Sequence, residues 1–440
     1  MKDLARDIFR ETLGRIELKS VLRSHIRRQG TRLEVYGDTF DLTDYRQVFL
    51  IAFGKASVTM AAVLAEILAE DLTDAVIVTN ALPAEVPAAL SRHPIIVGGH
   101  PTPNEGSLEA GRRIIELLSR RDEETLVFFL ISGGGSALIE VPLFETLTLA
   151  DLQQLNRALV TCGATIREIN AVRKHLSAIK GGRLAERAHP ARQISLYVSD
   201  VNPGDLSTIA SGPTLPDETT WDDVLAVVAK YEVIKKLPPR IADILSHGRR
   251  DETPKPGDPI FSRSTHHLVM DNRTALDAAA TMARERECLV EVDDSPNEEH
   301  YRIVADRLLA RLFQLAEKFP EQTVCLVSGG EVSCPVTGSG VGGRNQEFVL
   351  YAALKIAELK DPLDVAVLSA GTDGIDGISP AAGAVADRTT VARAEALGLD
   401  PKKFLADNDS YSFFAALGDT IVTGPTGTNV RDLRLLLARR

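Results

Sequence analysis

The 440-residue chain has no run of about 18 uninterrupted apolar residues, and its first twenty residues, MKDLARDIFRETLGRIELKS, are charged throughout. Neither a membrane span nor a secretion leader is expected, and the cytoplasm is the expected location. Cysteine is scarce: Cys162, Cys288, Cys325 and Cys334 show no CxxC spacing, which argues against a zinc ribbon or a disulfide framework and for reduced thiols. Positive charge is in deficit, with 50 Lys and Arg against 61 Asp and Glu and a net charge of −11. A polyanion such as nucleic acid needs a broad basic surface, so the expected partner is a small molecule. An anionic ligand must then be held by a few local cations and backbone N–H groups. The chain lacks the GxxxxGK[ST] phosphate loop, the GxSxG nucleophile elbow and any fixed-period repeat or low-complexity tract.

With 44% hydrophobic and 25% charged residues the composition is that of an ordinary globular protein, long enough for two domains. In the first 28 residues Leu4, Ile8, Phe9, Leu13 and Ile16, then Val21, Leu22 and Ile26, recur at helical spacing, predicting one or two amphipathic helices. Short apolar runs ending in glycine or a small polar residue follow: Val48–Phe53, Ala75–Thr79, Leu126–Ile131, Ile194–Val198, Leu268–Met270, Val324–Val327, Val365–Leu368 and Thr420–Val422. Strand, tight turn and helix in alternation predict an α/β protein with a doubly wound parallel sheet, whose ligands bind beyond the carboxyl ends of the strands. Pro238, Pro239 and the segment TPKPGDPIFSRS from Thr253 to Ser264 mark the expected break, with a second domain beginning near residue 239.

The segment VFFLISGGGSALIE carries the clearest site. A strand runs directly into Ser132, Gly133, Gly134, Gly135 and Ser136, and three glycines let successive N–H groups converge on an anion at a helix start. A second segment holds SGGE, with Gly329, Gly330 and Glu331, then Gly338, Gly340 and Gly343, which spell GxGxxG, then Arg344 at the head of a long helix. An arginine stands where a pyrophosphate would approach, so phosphate neutralisation suits Arg344 better than dinucleotide binding does. Lys55 in IAFGKAS follows an apolar strand and projects a point charge at its carboxyl end. Asp200 and Asp373 follow strands and precede glycine-rich turns, where a carboxylate can hold Mg²⁺ or accept a hydroxyl proton, and Asp205, Asp376 and Asp387 are secondary candidates. Glu331 is a second candidate for the metal. His100 and His175 have no partner at metal-ligand spacing; His175, beside Arg173 and Lys174, is expected to help orient an anionic substrate.

Taken in order, GKAS at Gly54, GGHPTPNEGS at Gly98, LISGGGSALIE at Leu130, NAVRKHLSAIKGGRLA at Asn170, SDV…IASGPT at Ser199, SGGE at Ser328, GGRNQE at Gly342 and GTDGIDG at Gly371 resemble the glycerate 2-kinase family. The C-terminal DNDSYSFFAALGDTIVTGPTGTNVRDLRLLL resembles that family's MOFRL region. The resemblance covers nearly the whole chain, with one departure, VNPGD at Val201, where a plainer VxGDD turn is expected. It implies ATP-dependent phosphorylation of D-glycerate on its 2-hydroxyl, with Mg²⁺. The implied fold is a Rossmann-like doubly wound larger domain (1–238 completed by 420–440) and a smaller α/β domain (239–419), with the active site in the inter-domain cleft. Lys55, Arg344 and Asp373 match positions thought to act in that family's active site.

Two rivals accompany this reading. An NAD(P)H-dependent hydroxypyruvate reductase is a label that relatives have also carried, and the literal GxGxxG favours it superficially. Several separate glycine loops with Lys55 and Arg344 suit a triphosphate better, and no acidic ribose partner follows the Gly338 motif. A ligand-binding regulator on the same fold predicts binding without turnover, but it has no need of a positioned Lys, Arg and Asp set. The sequence gives no oligomeric state.

Overall fold

The computed structural model describes residues 1–201, 206–247, 251–360 and 362–440. Asp205 lies outside the described residues. Two compact units emerge, one of residues 21–269 and the other of residues 1–20 together with 270–440.

The first unit opens on an antiparallel meander of β1 (Ile26–Gln29), β2 (Arg32–Val35) and β3 (Asp38–Asp41). Its centre is a six-stranded sheet of β4 (Gln47–Phe53), β5 (Asp74–Thr79), β6 (Ile95–Val97), β7 (Thr125–Ser132), β8 (Arg192–Val198) and β9 (Ser264–Met270), ordered β6-β5-β4-β7-β8-β9. The ladders from β6 through β8 are all parallel. Residues 48–53 and 125–132 are buried on both faces, which is why they read as unbroken apolar runs rather than alternating ones. Counted in chain order the sheet runs 3-2-1-4-5-6, the doubly wound arrangement, so its switch point falls between β4 and β7.

The same unit carries a separate helical core. Helices Leu149–Thr161, Ile166–His175, Trp221–Lys230 and Pro239–His247 bury Leu152, Leu155, Val172, Trp221, Val224 and Ile241 against one another. Thr148, Thr165 and Thr220 each cap their helix in a reciprocal capping box, with Asp151, Glu168 and Asp223 respectively, satisfying backbone donors that would otherwise lack partners. Pro238 and Pro239 therefore open a helix of this core instead of marking a domain break, since proline suits the first turn. The chain changes unit some thirty residues later, near Met270.

The second unit is built on a mixed sheet of β10 (Leu289–Asp293), β11 (Val324–Gly329), β12 (Asp364–Gly371), β13 (Gly383–Asp387), β14 (Thr420–Ile421) and β15 (Asp432–Arg439), ordered β10-β11-β15-β12-β13-β14. Only β10 and β11 pair in parallel. The expected return of residues 420–440 to the N-terminal domain is corrected here: β15 is a central strand of this sheet, antiparallel to both β11 and β12. The crossing segment is instead the N-terminal helix Lys2–Arg15, whose Ala5, Ile8 and Phe9 share a core with Leu276, Met282, Cys325 and Leu433. Lys2 and Arg6 meet Asp419 at 2.9 and 3.2 Å. Among the described residues no helix is long and apolar enough to cross a membrane.

Candidate active site

The loops after β4 and β7 meet at the switch point of the parallel sheet. Lys55 N–H donates to the Gly133 carbonyl (2.9 Å), and Ala56 N–H donates to Ser132 Oγ (3.0 Å). Gly54 adopts φ +124°, and a methyl there would overlap Ser132, so only glycine lets the two loops close together. Among the described residues none accepts a hydrogen bond from the N–H of Gly133, Gly134, Gly135 or Ser136. Four successive donors are thus left for a ligand, beside the exposed Lys55 side chain.

Three further groups border this loop. Asp200, after β8, lies so close to Gly133 that a methyl there would overlap its carboxylate. The His100 ring and the Lys55 stem flank Gly134, which adopts φ +83°. Ser136 Oγ and Ser211 Oγ are 2.7 Å apart, and Ser211 donates to Asn170 Oδ1 at 3.0 Å. Burial and the Lys55 charge lower the His100 pKa against the opposing pull of Asp200, so its imidazole is neutral at pH 7. The sequence undervalued His100 because no partner stands near it in the chain; the partners come from β4 and β8. Ser211 and Asn170 went unrecognised for the same reason, although both sit inside quoted motifs.

Behind Ser136 a small cavity is lined by Arg173, Asn156, Glu140 and Lys180, among others. Arg173 is thus brought to the loop. His175 is not: it is wholly buried, its Nδ1 is 2.8 Å from the Ala171 carbonyl and its Nε2 is 3.2 Å from Glu252, and its ring meets the edge of Trp221. The expectation that His175 touches substrate is corrected, since helical periodicity turns it into the helical core. Lys174 likewise spends its charge on buried Asp217 at 3.0 Å.

In the second unit Arg344 forms a two-pronged bond to Asp432, at 2.7 and 3.0 Å, and a third contact with Glu331 at 2.9 Å. Burial works against its charge, but the carboxylates of Asp432, Glu331 and Asp376 together outweigh it and raise the arginine's pKa. Asp373, two residues beyond β12, accepts from Ile375 N–H at 3.0 Å. Glu331 is engaged by an arginine rather than grouped with other metal ligands, and among the described residues no cluster of three His, Cys, Asp or Glu side chains could hold a metal. Gly329 and Gly330 were expected to cradle phosphate. They are buried instead: Gly330 N–H donates to Asn272 Oδ1 at 3.0 Å, and both carbonyls accept from the buried Arg434. These glycines make room for Asn272 and the Pro296 carbonyl.

The GxGxxG loop is likewise committed to the protein. Thr337 and Gly338 N–H donate to Asn408 Oδ1, Ser339 N–H to Asp407 Oδ1, Gly340 N–H to the Asp407 carbonyl and Val341 N–H to Asp409 Oδ1, all at 2.8–3.0 Å. The helix that follows is capped by Asp376, which accepts from the N–H groups of Asn345 (3.0 Å) and Gln346 (2.9 Å). A carboxylate of the chain occupies the place a pyrophosphate would take.

Two family models match the chain: a domain of unknown function, DUF4147, over residues 4–246, and the MOFRL family over residues 324–432. A D-glycerate 2-kinase of Thermotoga maritima is 38% identical across 90% of this chain and 92% of its own. The chain belongs to the glycerate 2-kinase family. Consistent with that membership, the crystal structure of a Thermotoga maritima glycerate kinase superposes with a TM-score of 0.85 at 35% identity, covering 99% of both chains. A protein of Agrobacterium vitis provisionally named hydroxypyruvate reductase is 41% identical across 88% of this chain and 98% of its own. The MOFRL match begins at β11, so in this family member the region is most of the second unit and not only its C-terminal end.

Proposed function

We propose that the protein transfers the γ-phosphoryl group of ATP to the 2-hydroxyl of D-glycerate, giving 2-phosphoglycerate and ADP, and that its Rossmann-like parallel sheet carries the phosphate site. The observation that carries the site assignment is the run of N–H groups at Gly133–Ser136 with no acceptor among the described residues, beside Lys55 at the switch point of the sheet. Backbone donors fixed before the reaction, with a lysine beside them, stabilise charge on a transferring phosphoryl group with little reorganisation. Asp200 is the carboxylate suited to a nucleotide-bound Mg²⁺, which typically takes only one or two protein carboxylates and completes its shell with phosphate and water. When bound, Mg²⁺ supplies neutralisation of phosphate charge. His100, neutral and flanking Gly134, is suited to accept the hydroxyl proton. Arg344 and Asp373 stay in the proposal on the family resemblance; the Asp432 fork holds the Arg344 guanidinium in one orientation, as an oxyanion-binding group requires.

The reductase reading needs a dinucleotide cradle, and the one glycine motif that spells it has spent its donors on Asp407–Asp409 and Asp376. Incubation with D-glycerate, ATP and Mg²⁺, with the product identified by NMR, and with NADH plus hydroxypyruvate in parallel, separates the two. 2-Phosphoglycerate without NADH oxidation is expected; NADH oxidation without phosphoglycerate would overturn the proposal.

A further inference from the structure

The cavity behind Ser136 holds a charge imbalance. Its polar lining consists of Ser136, Glu140, Asn156, Arg173 and Lys180, against leucine, proline and alanine side chains. Lys180 is wholly buried and ion-paired to Glu140, whose other oxygen accepts from Ser177 at 2.6 Å. That pair is neutral and satisfied. Arg173 is left over: its guanidinium makes no hydrogen bond or ion pair with any described residue, and burial lowers its pKa with only the neighbouring Glu140 to offset the cost. Two cations and one carboxylate leave one uncompensated positive charge in a partly desolvated space. A desolvated cation without a partner is expensive unless a ligand supplies the anion. Asn156 adds a second unmet demand, since its Oδ1 is buried with no hydrogen-bond partner among the described residues.

From this we infer that the cavity is the acceptor pocket for a small hydroxy-carboxylate, with Arg173 holding the carboxylate and Asn156 a specificity-determining contact to a hydroxyl. The inference deepens the glycerate kinase reading and rests on it for the identity of the acid. A monoanion matches the single surplus charge, and the planar guanidinium fork matches a carboxylate. Ser136 belongs both to this lining and to the run of open N–H groups, so an acid anchored on Arg173 lies next to the proposed phosphate loop. The apolar walls restrict the occupant to a short chain. Asn156 carries selectivity because a buried amide left unpaired by an analogue lacking the hydroxyl costs more than a lost contact at the surface.

The test compares wild type, Arg173→Gln and Asn156→Leu, each checked for folding by thermal melting, with D-glycerate and its uncharged analogue glyceramide as acceptors. Arg173→Gln is expected to raise the KM for glycerate roughly 10- to 100-fold, the range of one charge-assisted contact, with the KM for ATP little changed. Its preference for glycerate over glyceramide should collapse. Asn156→Leu, which fills the cavity with a side chain of similar size, should raise the glycerate KM without lowering the melting temperature. A glycerate KM unchanged in both variants of an active kinase would overturn the inference, and if Arg173→Gln does not fold, Asn156→Leu decides alone. Should wild type phosphorylate nothing, the functional reading fails separately, and calorimetric titration with sodium D-glycerate decides the pocket. Binding abolished by the variants supports it, whereas no binding, or binding that survives them, overturns it.

Discussion

Two glycine-rich loops look interchangeable in the sequence and are opposites in the fold. At Ser132–Ser136 the glycines follow a parallel strand at a sheet's switch point, and four N–H groups have no acceptor among the described residues. At Gly338–Gly343 they allow close approach of another piece of chain: methyls at Gly338, Gly340, Gly342 and Gly343 would overlap Asp407, Asp409, Ser410 and Asp376 respectively. Glycine spacing reports only that something comes close to the backbone. Whether that something is a ligand or the protein itself depends on acceptors such as Asn408, about seventy residues downstream of the loop they satisfy.

The largest effect expected from this contrast is at Lys55. Lys55→Ala should lower kcat/KM by roughly 10³-fold, comparable to removing one preorganised charge-stabilising donor, with the melting temperature unchanged because the side chain is exposed. The next test lies under the other loop. Burial pushes the Glu347 carboxyl up to about 7, against the pull of neighbouring Ser410 and Asn408. Its folded-state pKa is raised, so the native state retains a proton that the unfolded chain has lost, and stability falls as pH rises from about 4.5 to about 7. Glu347→Gln should abolish that decline, gaining up to about 3 kcal/mol over wild type at pH 8 and little at pH 4, as read by chemical denaturation, without changing the KM for ATP.

A matched pair of alanines separates the loops directly. Gly338→Ala forces a methyl into the Asp407 backbone and should cost about 1–3 kcal/mol of stability while leaving the ATP KM of the folded enzyme intact. Gly134→Ala, where the methyl would meet the His100 ring and the Lys55 stem rather than backbone, should cost only about 1–2 kcal/mol for its left-handed φ yet raise the ATP KM. Equal effects on KM from both would break the distinction.

Much of the parallel sheet was legible because strands buried on both faces are continuous apolar runs, and Val48–Phe53 and Leu126–Ile131 fall inside β4 and β7. β15 was not read as a strand. DLRLLLAR carries Arg434, a charge that interrupts the apolar run; in the fold its buried guanidinium bonds to the Gly329 and Gly330 carbonyls and stacks over Phe348. The assignment of the C-terminal end to the N-terminal domain came from the family resemblance, and the antiparallel pairing of β15 with β11 and β12 overturns it. In the candidate site, Lys55, Asp200 and the SGGGS loop were legible from their position at strand ends, a property of local sequence. His175 was misread because charge in the chain, Arg173 and Lys174 beside it, does not say which way a helix is turned. Three consecutive residues face the phosphate-loop cavity, an ion pair with Asp217 and the helical core in turn.

Amide hydrogen exchange with and without ATP and Mg²⁺ tests the central claim, that the open N–H groups after β7 hold phosphate and the GxGxxG loop does not. Nucleotide should slow exchange across Gly133–Ala137 and leave Thr337–Val341 at its unliganded rate. Protection of Thr337–Val341 with Gly133–Ala137 unchanged would contradict it.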